Sequence, residues 1–121
     1  MAKSSIKVAL IGNPNTGKTS VFNQLTGLHQ QVGNYPGITV EKKIGTCKLS
    51  ESLKATILDL PGTYSLNASS IDENVVIELL MNKNDENFPD VVVVVTEVEN
   101  LKRNLLLFTQ IKDLEIPTIL V

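Results

Sequence analysis

Tryptophan is absent from the 121 residues, which contain one cysteine and one histidine. A single thiol, Cys47, excludes an internal disulfide and suits a reducing compartment. Its alternating surroundings read as a packed or edge thiol rather than a reactive one. The lone histidine, His29, has no second histidine or paired cysteine near it. A zinc-type ligand set is therefore missing, and His29 reads as solvent-exposed. No apolar run reaches the length of about 18 residues that a membrane-spanning helix needs. No basic cluster is present either: 11 Lys and Arg against 13 Asp and Glu give a net charge of −2. The cations are spread along the chain, which argues against nucleic acid as a partner. The start, Met1-Ala2-Lys3-Ser4-Ser5, leads straight into a strand pattern and has no signal-peptide character. Internal repeats and low-complexity tracts are also absent.

Hydrophobic residues make up 42% of the sequence, so the chain has the material for a core. Periodicity predicts a strand over 6–11 and a helix over 18–25, with Gly27 as its end. A polar, glycine-containing segment, 29–38, follows. Strands are predicted over 39–49 and 54–60, paired as a hairpin through a turn at Glu51-Ser52, with one antiparallel edge strand. A loop covers 61–70. Ile71, Val75, Val76, Leu79 and Leu80 have helical spacing and predict a helix over 71–82, which Asp72 and Glu73 are expected to cap. A polar loop over 82–89 leads to a strand over 90–95. Its five valines read as a central buried strand. Leu101, Leu105, Phe108, Ile111 and Lys112 mark a helix over 100–114, and 117–121 opens a last strand. Strands alternating with helices predict an α/β fold with a mixed, mostly parallel sheet. The chain stops in an apolar strand that still needs a covering helix. Residues 1–121 therefore read as one P-loop domain, incomplete at its C-terminus.

The run Gly12-Asn13-Pro14-Asn15-Thr16-Gly17-Lys18-Thr19 fits the phosphate-binding pattern G-x-x-x-x-G-K-[ST], between a strand and a helix as that pattern requires. Gly12 and Gly17 let the backbone approach an anion closely, and successive N–H groups form an anion-binding concavity. The helix starting near Lys18 adds unpaired N–H groups and the positive end of its dipole. Lys18 is placed to reach the β- and γ-phosphates of a nucleotide, and the Thr19 hydroxyl to ligate Mg²⁺.

Asp59-Leu60-Pro61-Gly62 closes the strand Ile57-Leu58-Asp59. An ordinary turn also uses Pro and Gly. At a strand end downstream of a P-loop, however, Asp59 suits an Mg²⁺-bound water, and the Gly62 N–H suits a γ-phosphate. Thr39 lies between the two motifs. Its hydroxyl suits Mg²⁺ and its N–H the γ-phosphate, the arrangement of a segment released when that phosphate is lost.

With the P-loop and its continuation Val21-Phe22-Asn23-Gln24-Leu25-Thr26-Gly27, three further runs make the chain resemble a known family. They are Val32-Gly33-Asn34-Tyr35-Pro36-Gly37-Ile38-Thr39-Val40-Glu41-Lys42-Lys43, Asp59-Leu60-Pro61-Gly62-Thr63-Tyr64-Ser65-Leu66, and Asn100-Leu101-Lys102-Arg103-Asn104-Leu105. The chain resembles the N-terminal GTP-binding domain of bacterial ferrous iron transport protein B over nearly its whole length. Thr96-Glu97-Val98-Glu99-Asn100 departs from the family pattern. The resemblance implies a Ras-like P-loop GTPase fold with strand order 2-3-1-4-5, the sixth strand and last helices lying beyond the chain. It implies GTP and GDP as ligands, with Mg²⁺. It also implies K⁺, held by Asn15 and by carbonyls of Gly33 and Tyr35. The nucleotide-binding set is then Gly12, Asn13, Pro14, Asn15, Thr16, Gly17, Lys18, Thr19, Ser20, Thr39, Asp59 and Gly62. Mg²⁺ would fall to Thr19, Thr39 and, through water, Asp59; the residues serving hydrolysis would be Lys18, Thr39 and Asn15. Thr63 stands where Ras-type enzymes carry a water-orienting glutamine, which implies slow hydrolysis. The family context implies a membrane Fe²⁺-transport domain in the same polypeptide, on whose cytoplasmic side at the bacterial inner membrane this domain would sit. It is compatible with self-association.

Two other readings share part of this pattern: a soluble ribosome-assembly or tRNA-modification GTPase, and a nucleotide-binding module that does not hydrolyse. Asn82-Lys83-Asn84-Asp85 matches the guanine-reading pattern N-K-x-D, but it follows the helix before the valine strand and reads as a solvated turn. The base-reading motif is expected beyond Val121. The isolated 121 residues are therefore expected to bind GTP weakly or to be unstable. Nucleotide titration of the fragment checks this, and tight, GTP-selective binding would overturn it.

Overall fold

The computed structural model describes residues 5–12, 17–35, 37, 40–62, 70–96 and 101–121, apart from the side chains of residues 103 and 104. Asn13, Pro14, Asn15, Thr16, Thr39 and Thr63, and the stretch 97–100, lie outside them. The elements in chain order are β1 (Ser5–Gly12), α1 (Lys18–Thr26), β2 (Gln30–Asn34), β3 (Glu41–Lys48), β4 (Lys54–Asp59), α2 (Ile71–Met81), β5 (Val91–Val95), α3 (Leu101–Lys112) and β6 (Thr118–Leu120). They build one sheet of order β2-β3-β4-β1-β5-β6. β4, β1, β5 and β6 run parallel, while β3 is antiparallel to both β2 and β4.

Strands β3, β4, β1, β5 and β6 reproduce the expected order. The difference is β2, which forms in the segment read as polar loop. Its residues, Gln30-Gln31-Val32-Gly33-Asn34, carry no apolar alternation, because an edge strand outside the core buries neither face. β2 pairs from Gln30 opposite Gly45 to Asn34 opposite Glu41. The hairpin strand β3, expected at the edge, is therefore an inner strand.

Alternation sends side chains to two faces of the sheet. Ala9, Ile11, Leu58, Val92 and Val94 join Val76, Leu79 and Leu80 of α2 and Leu107 and Ile111 of α3 in one cluster. Leu10, Ala55 and Ile57 meet Phe22 of α1 on the other face, with Cys47 packed against them. β5 is flanked by parallel strands on both sides, as a buried valine strand requires. The face of α3 differs from expectation: Leu105 is 42% exposed, whereas Leu107 is fully buried.

Local signals set the helix ends. The Gly27 N–H bonds Asn23 O at 2.9 Å and closes α1. Ser70, rather than Asp72 or Glu73, caps α2, accepting from the Glu73 N–H at 3.1 Å. The two carboxylates occupy the first turn, where they complement the dipole. Asn82-Lys83-Asn84-Asp85 forms the turn after α2, with the Asn84 N–H donating to Asn82 Oδ1 at 3.1 Å. That turn leads past Lys7, near the start of β1, whose Nζ bonds Glu86 O. The phosphate-loop sequence leaves the opposite end of β1. His29 is exposed.

α1 lies close to β3 at one point. A Cβ on Gly45 would stand 2.4 Å from the Thr26 methyl carbon. Thr26 cannot easily turn aside, being buried with its hydroxyl donating to Phe22 O at 2.8 Å. Gly45→Ala should therefore destabilise the fold by about 1–3 kcal/mol through overpacking. Denaturant unfolding checks this, and an unchanged midpoint would contradict the contact.

Candidate functional site

The first turn of α1 opens on Gly17, which takes the left-handed conformation at φ 83. A side-chain-bearing residue pays for that geometry, and glycine does not. Among the described residues no side chain caps the helix start, and no acidic residue lies in its first turn. The first N–H groups of α1 are thus oriented as anion donors.

Asp59 comes to the same place by strand pairing. It lies beside Leu10 in the parallel β1–β4 register, and the Leu60 N–H donates to Leu10 O at 3.0 Å. Lys18 Nζ donates to Asp59 Oδ1. The two side chains are only 11% and 5% exposed, so this is a buried ion pair. Lys18, Thr19 and Asp59 line one cavity of about 310 Å³, with Val40, Glu41, Lys43, Leu60, Pro61 and Asp72. It opens at the C-terminal ends of β1 and β4, where open α/β sheets bind ligands. Cationic Lys18 and the helix start suit phosphate. One carboxylate and one hydroxyl suit Mg²⁺, which keeps several waters and takes few protein ligands.

Beyond β2, the Tyr35 N–H donates to Val40 O at 3.0 Å and closes the loop between β2 and β3. Lys42 Nζ lies 5.6 Å from the Tyr35 ring centroid. The Tyr35 hydroxyl is buried without a hydrogen-bond partner among the described residues. Burial, with the Asp59 carboxylate adding to it, pushes the phenol up to about 12.

Residues 6–121 match the ferrous iron transport protein B family. The chain belongs to that family. It is 47% identical over 115 residues to the Fe(2+) transport protein A/Fe(2+) transporter FeoB fusion protein of Porphyromonas gingivalis, covering 95% of this chain and 13% of that protein. It is 44% identical over 110 residues to the Fe(2+) transporter FeoB of Methanocaldococcus jannaschii, covering 91% and 16%. The chain thus spans less than a fifth of the length of these curated relatives. The G domain of the T. maritima FeoB iron transporter superposes with a TM-score of 0.87 at 44% identity, covering 96% of this chain and 70% of that one. An S. thermophilus NFeoB mutant bound to GDP gives a TM-score of 0.84 at 43% identity, covering 96% and 43%. The fold is therefore that of a FeoB G domain.

Of the residues singled out in the sequence, Lys18, Thr19 and Asp59 meet in the cavity. Gly12 ends β1, Ser20 follows Thr19 in the first turn of α1, and Gly62 lies two residues past Leu60. Gly33 is in β2 and Tyr35 just beyond it. Asn13, Pro14, Asn15, Thr16 and Thr39 belong to the undescribed stretches. Glu41, Lys43 and Asp72 line the cavity without having been read as site residues. Period-2 spacing puts Glu41 and Lys43 on one strand face, but only the β3–β4 register shows which face meets the site.

The Tyr35 phenol makes a sign-specific prediction. Its folded value lies above the ordinary 10, so the neutral form is favoured in the folded chain. Stability from this group is present below about pH 10 and is lost as pH rises towards about 12. Tyr35→Phe should remove that alkaline loss without lowering stability at neutral pH, since it deletes a hydroxyl that has no described partner. Unfolding midpoints between neutral and alkaline pH check this.

Proposed function

We propose that this chain is the phosphate-binding and switching part of a GTPase domain. It binds GTP and GDP with Mg²⁺, hydrolyses GTP slowly, and couples nucleotide state to Fe²⁺ uptake through a membrane-transport domain of the same polypeptide. On this reading it works at the cytoplasmic face of the membrane. The observation that carries the proposal is the buried Lys18–Asp59 pair at the head of α1, in one cavity with Thr19. The iron-transporter names of its relatives and the GDP held by the S. thermophilus relative support it.

The chemistry follows from the residues. Mg²⁺, when bound, would neutralise part of the phosphate charge. Lys18 turns from Asp59 to the phosphates, and the first N–H groups of α1 hold the same oxygens. The Thr19 hydroxyl and, through water, Asp59 would hold the metal. Thr39 and the Gly62 N–H sense the γ-phosphate, so its loss frees the segment closed by the Tyr35–Val40 bond. Asn15, with carbonyls of Gly33 and Tyr35, would hold K⁺, whose charge would do part of the work of an arginine finger. Thr63 is a poor water-orienting group, which keeps the intrinsic rate low.

Lys18→Met should weaken binding of a fluorescent GDP by about 100-fold, through loss of a charge-assisted contact. It should also lower stability, since it removes the cation that holds the nearly buried Asp59 carboxylate in this structure. Adding Asp59→Asn should restore stability but not binding. Single-turnover GTP hydrolysis of the full-length protein should run faster in K⁺ than in Na⁺. Binding without any hydrolysis would favour a regulatory module that does not turn over, and unchanged GDP affinity in Lys18→Met would overturn the phosphate role.

A further inference from the structure

Five charged side chains line the cavity: Glu41 and Lys43 from β3, Asp59 from β4, Lys18 from α1 and Asp72 from α2. Lys43 stands directly opposite Asp59 in the antiparallel register. Opposed residues share a face, with Cβ atoms about 4.5–5.5 Å apart. That face is the one under α1: the next same-face pair, Gly45 opposite Ile57, meets Thr26 and Phe22 of that helix. Asp59 is therefore flanked by two lysines. Lys18 holds its carboxylate in this structure. Lys43 Nζ sits 3.2 Å from Glu41 Oε1, in a pair whose glutamate side is 57% exposed.

Nucleotide binding on the proposed reading takes Lys18 away from Asp59. A nearly buried carboxylate that loses its cation is costly, and that cost lowers the affinity for phosphate. Mg²⁺ and its water can offset it, but not before the metal arrives. The Lys43–Glu41 pair is open to solvent on its glutamate side, with Glu41 57% and Lys43 26% exposed, so Lys43 leaves it at a modest cost. We propose that Lys43 is the stand-in counter-ion of Asp59, moving from Glu41 to the carboxylate as Lys18 turns to the phosphates. It is a positioning residue and acts on the nucleotide only through Asp59 and Lys18. The inference rests on the nucleotide reading above.

The test is titration of the full-length protein with a fluorescent GDP, in EDTA and in Mg²⁺. Lys43→Met should weaken binding about tenfold in EDTA, the scale of one partly buried ion pair, and clearly less in Mg²⁺. Lys43→Arg should restore it. In an Asp59→Asn background, Lys43→Met should add no further loss. Unchanged affinity in Lys43→Met would overturn the proposal, as would an equal loss in both backgrounds, which would mean direct contact with phosphate. Should Lys43→Met melt early, Lys43→Gln gives the same comparison with a polar side chain. A wild-type protein that does not bind GDP would overturn the nucleotide reading and this proposal with it, a result distinct from failure of the lysine variants alone.

Discussion

The Lys18–Asp59 ion pair is buried where burial is expensive, and its surroundings keep it there. Removing two charges from water costs several kcal/mol per ion unless geometry and further partners compensate. Compensation requires the head of α1 and the end of β4 to meet. The parallel β1–β4 register brings Asp59 beside Leu10, and β1 carries the chain towards α1. The Leu60–Leu10 backbone bond continues that pairing past the end of β4. Phe22, packed on Leu10, Ala55 and Ile57, anchors α1 over the same strands. The apolar contacts thus place the charges, and the charges give the site its chemistry.

The same arrangement makes the site responsive. Lys18 serves a carboxylate in one state and phosphate in the proposed other, so the two anions compete for one cation. The β2–β3 edge lies alongside. β2 is short, exposed and polar, and the Tyr35 N–H bond to Val40 closes the loop that follows it. Such a segment has little buried apolar area to hold it, which places it at the low end of local stability. Tyr35 adds a half-buried side chain whose hydroxyl oxygen is buried without a partner among the described residues, a local cost.

Much of this was legible from the chain alone, and the residues that were not share a cause. Gly17, Lys18 and Thr19 were readable because their roles depend on covalent spacing between a strand and a helix. Asp59 was readable because a strand end followed by Leu60-Pro61-Gly62 is a local pattern. β2 was missed because Gln30-Gln31-Val32-Gly33-Asn34 has no core to face and so carries no alternation. In α3, Leu101, Leu105, Leu106 and Leu107 allow more than one apolar face, and docking against β5 and β6 selected Leu107. Lys43 carries no local signal for the site; the β3–β4 pairing sets it opposite Asp59.

The sequence by itself determined the element types other than β2, the phosphate-loop pattern and the family. These rest on short-range spacing, on hydrophobic period, and on motifs whose atoms are close along the chain. Only the tertiary structure decided which charges face one another: Lys18 on Asp59, Lys43 across from it, Glu41 beside Lys43. Register is the physical reason. A slip of one residue in β3 would turn Glu41 and Lys43 to the opposite face of the sheet. The turn at 49–53, with the Leu49 N–H on Leu53 O at 2.9 Å, and long-range packing set that register together, the latter through Gly45 against Thr26 and Ile44 beside the α2–α3 cluster.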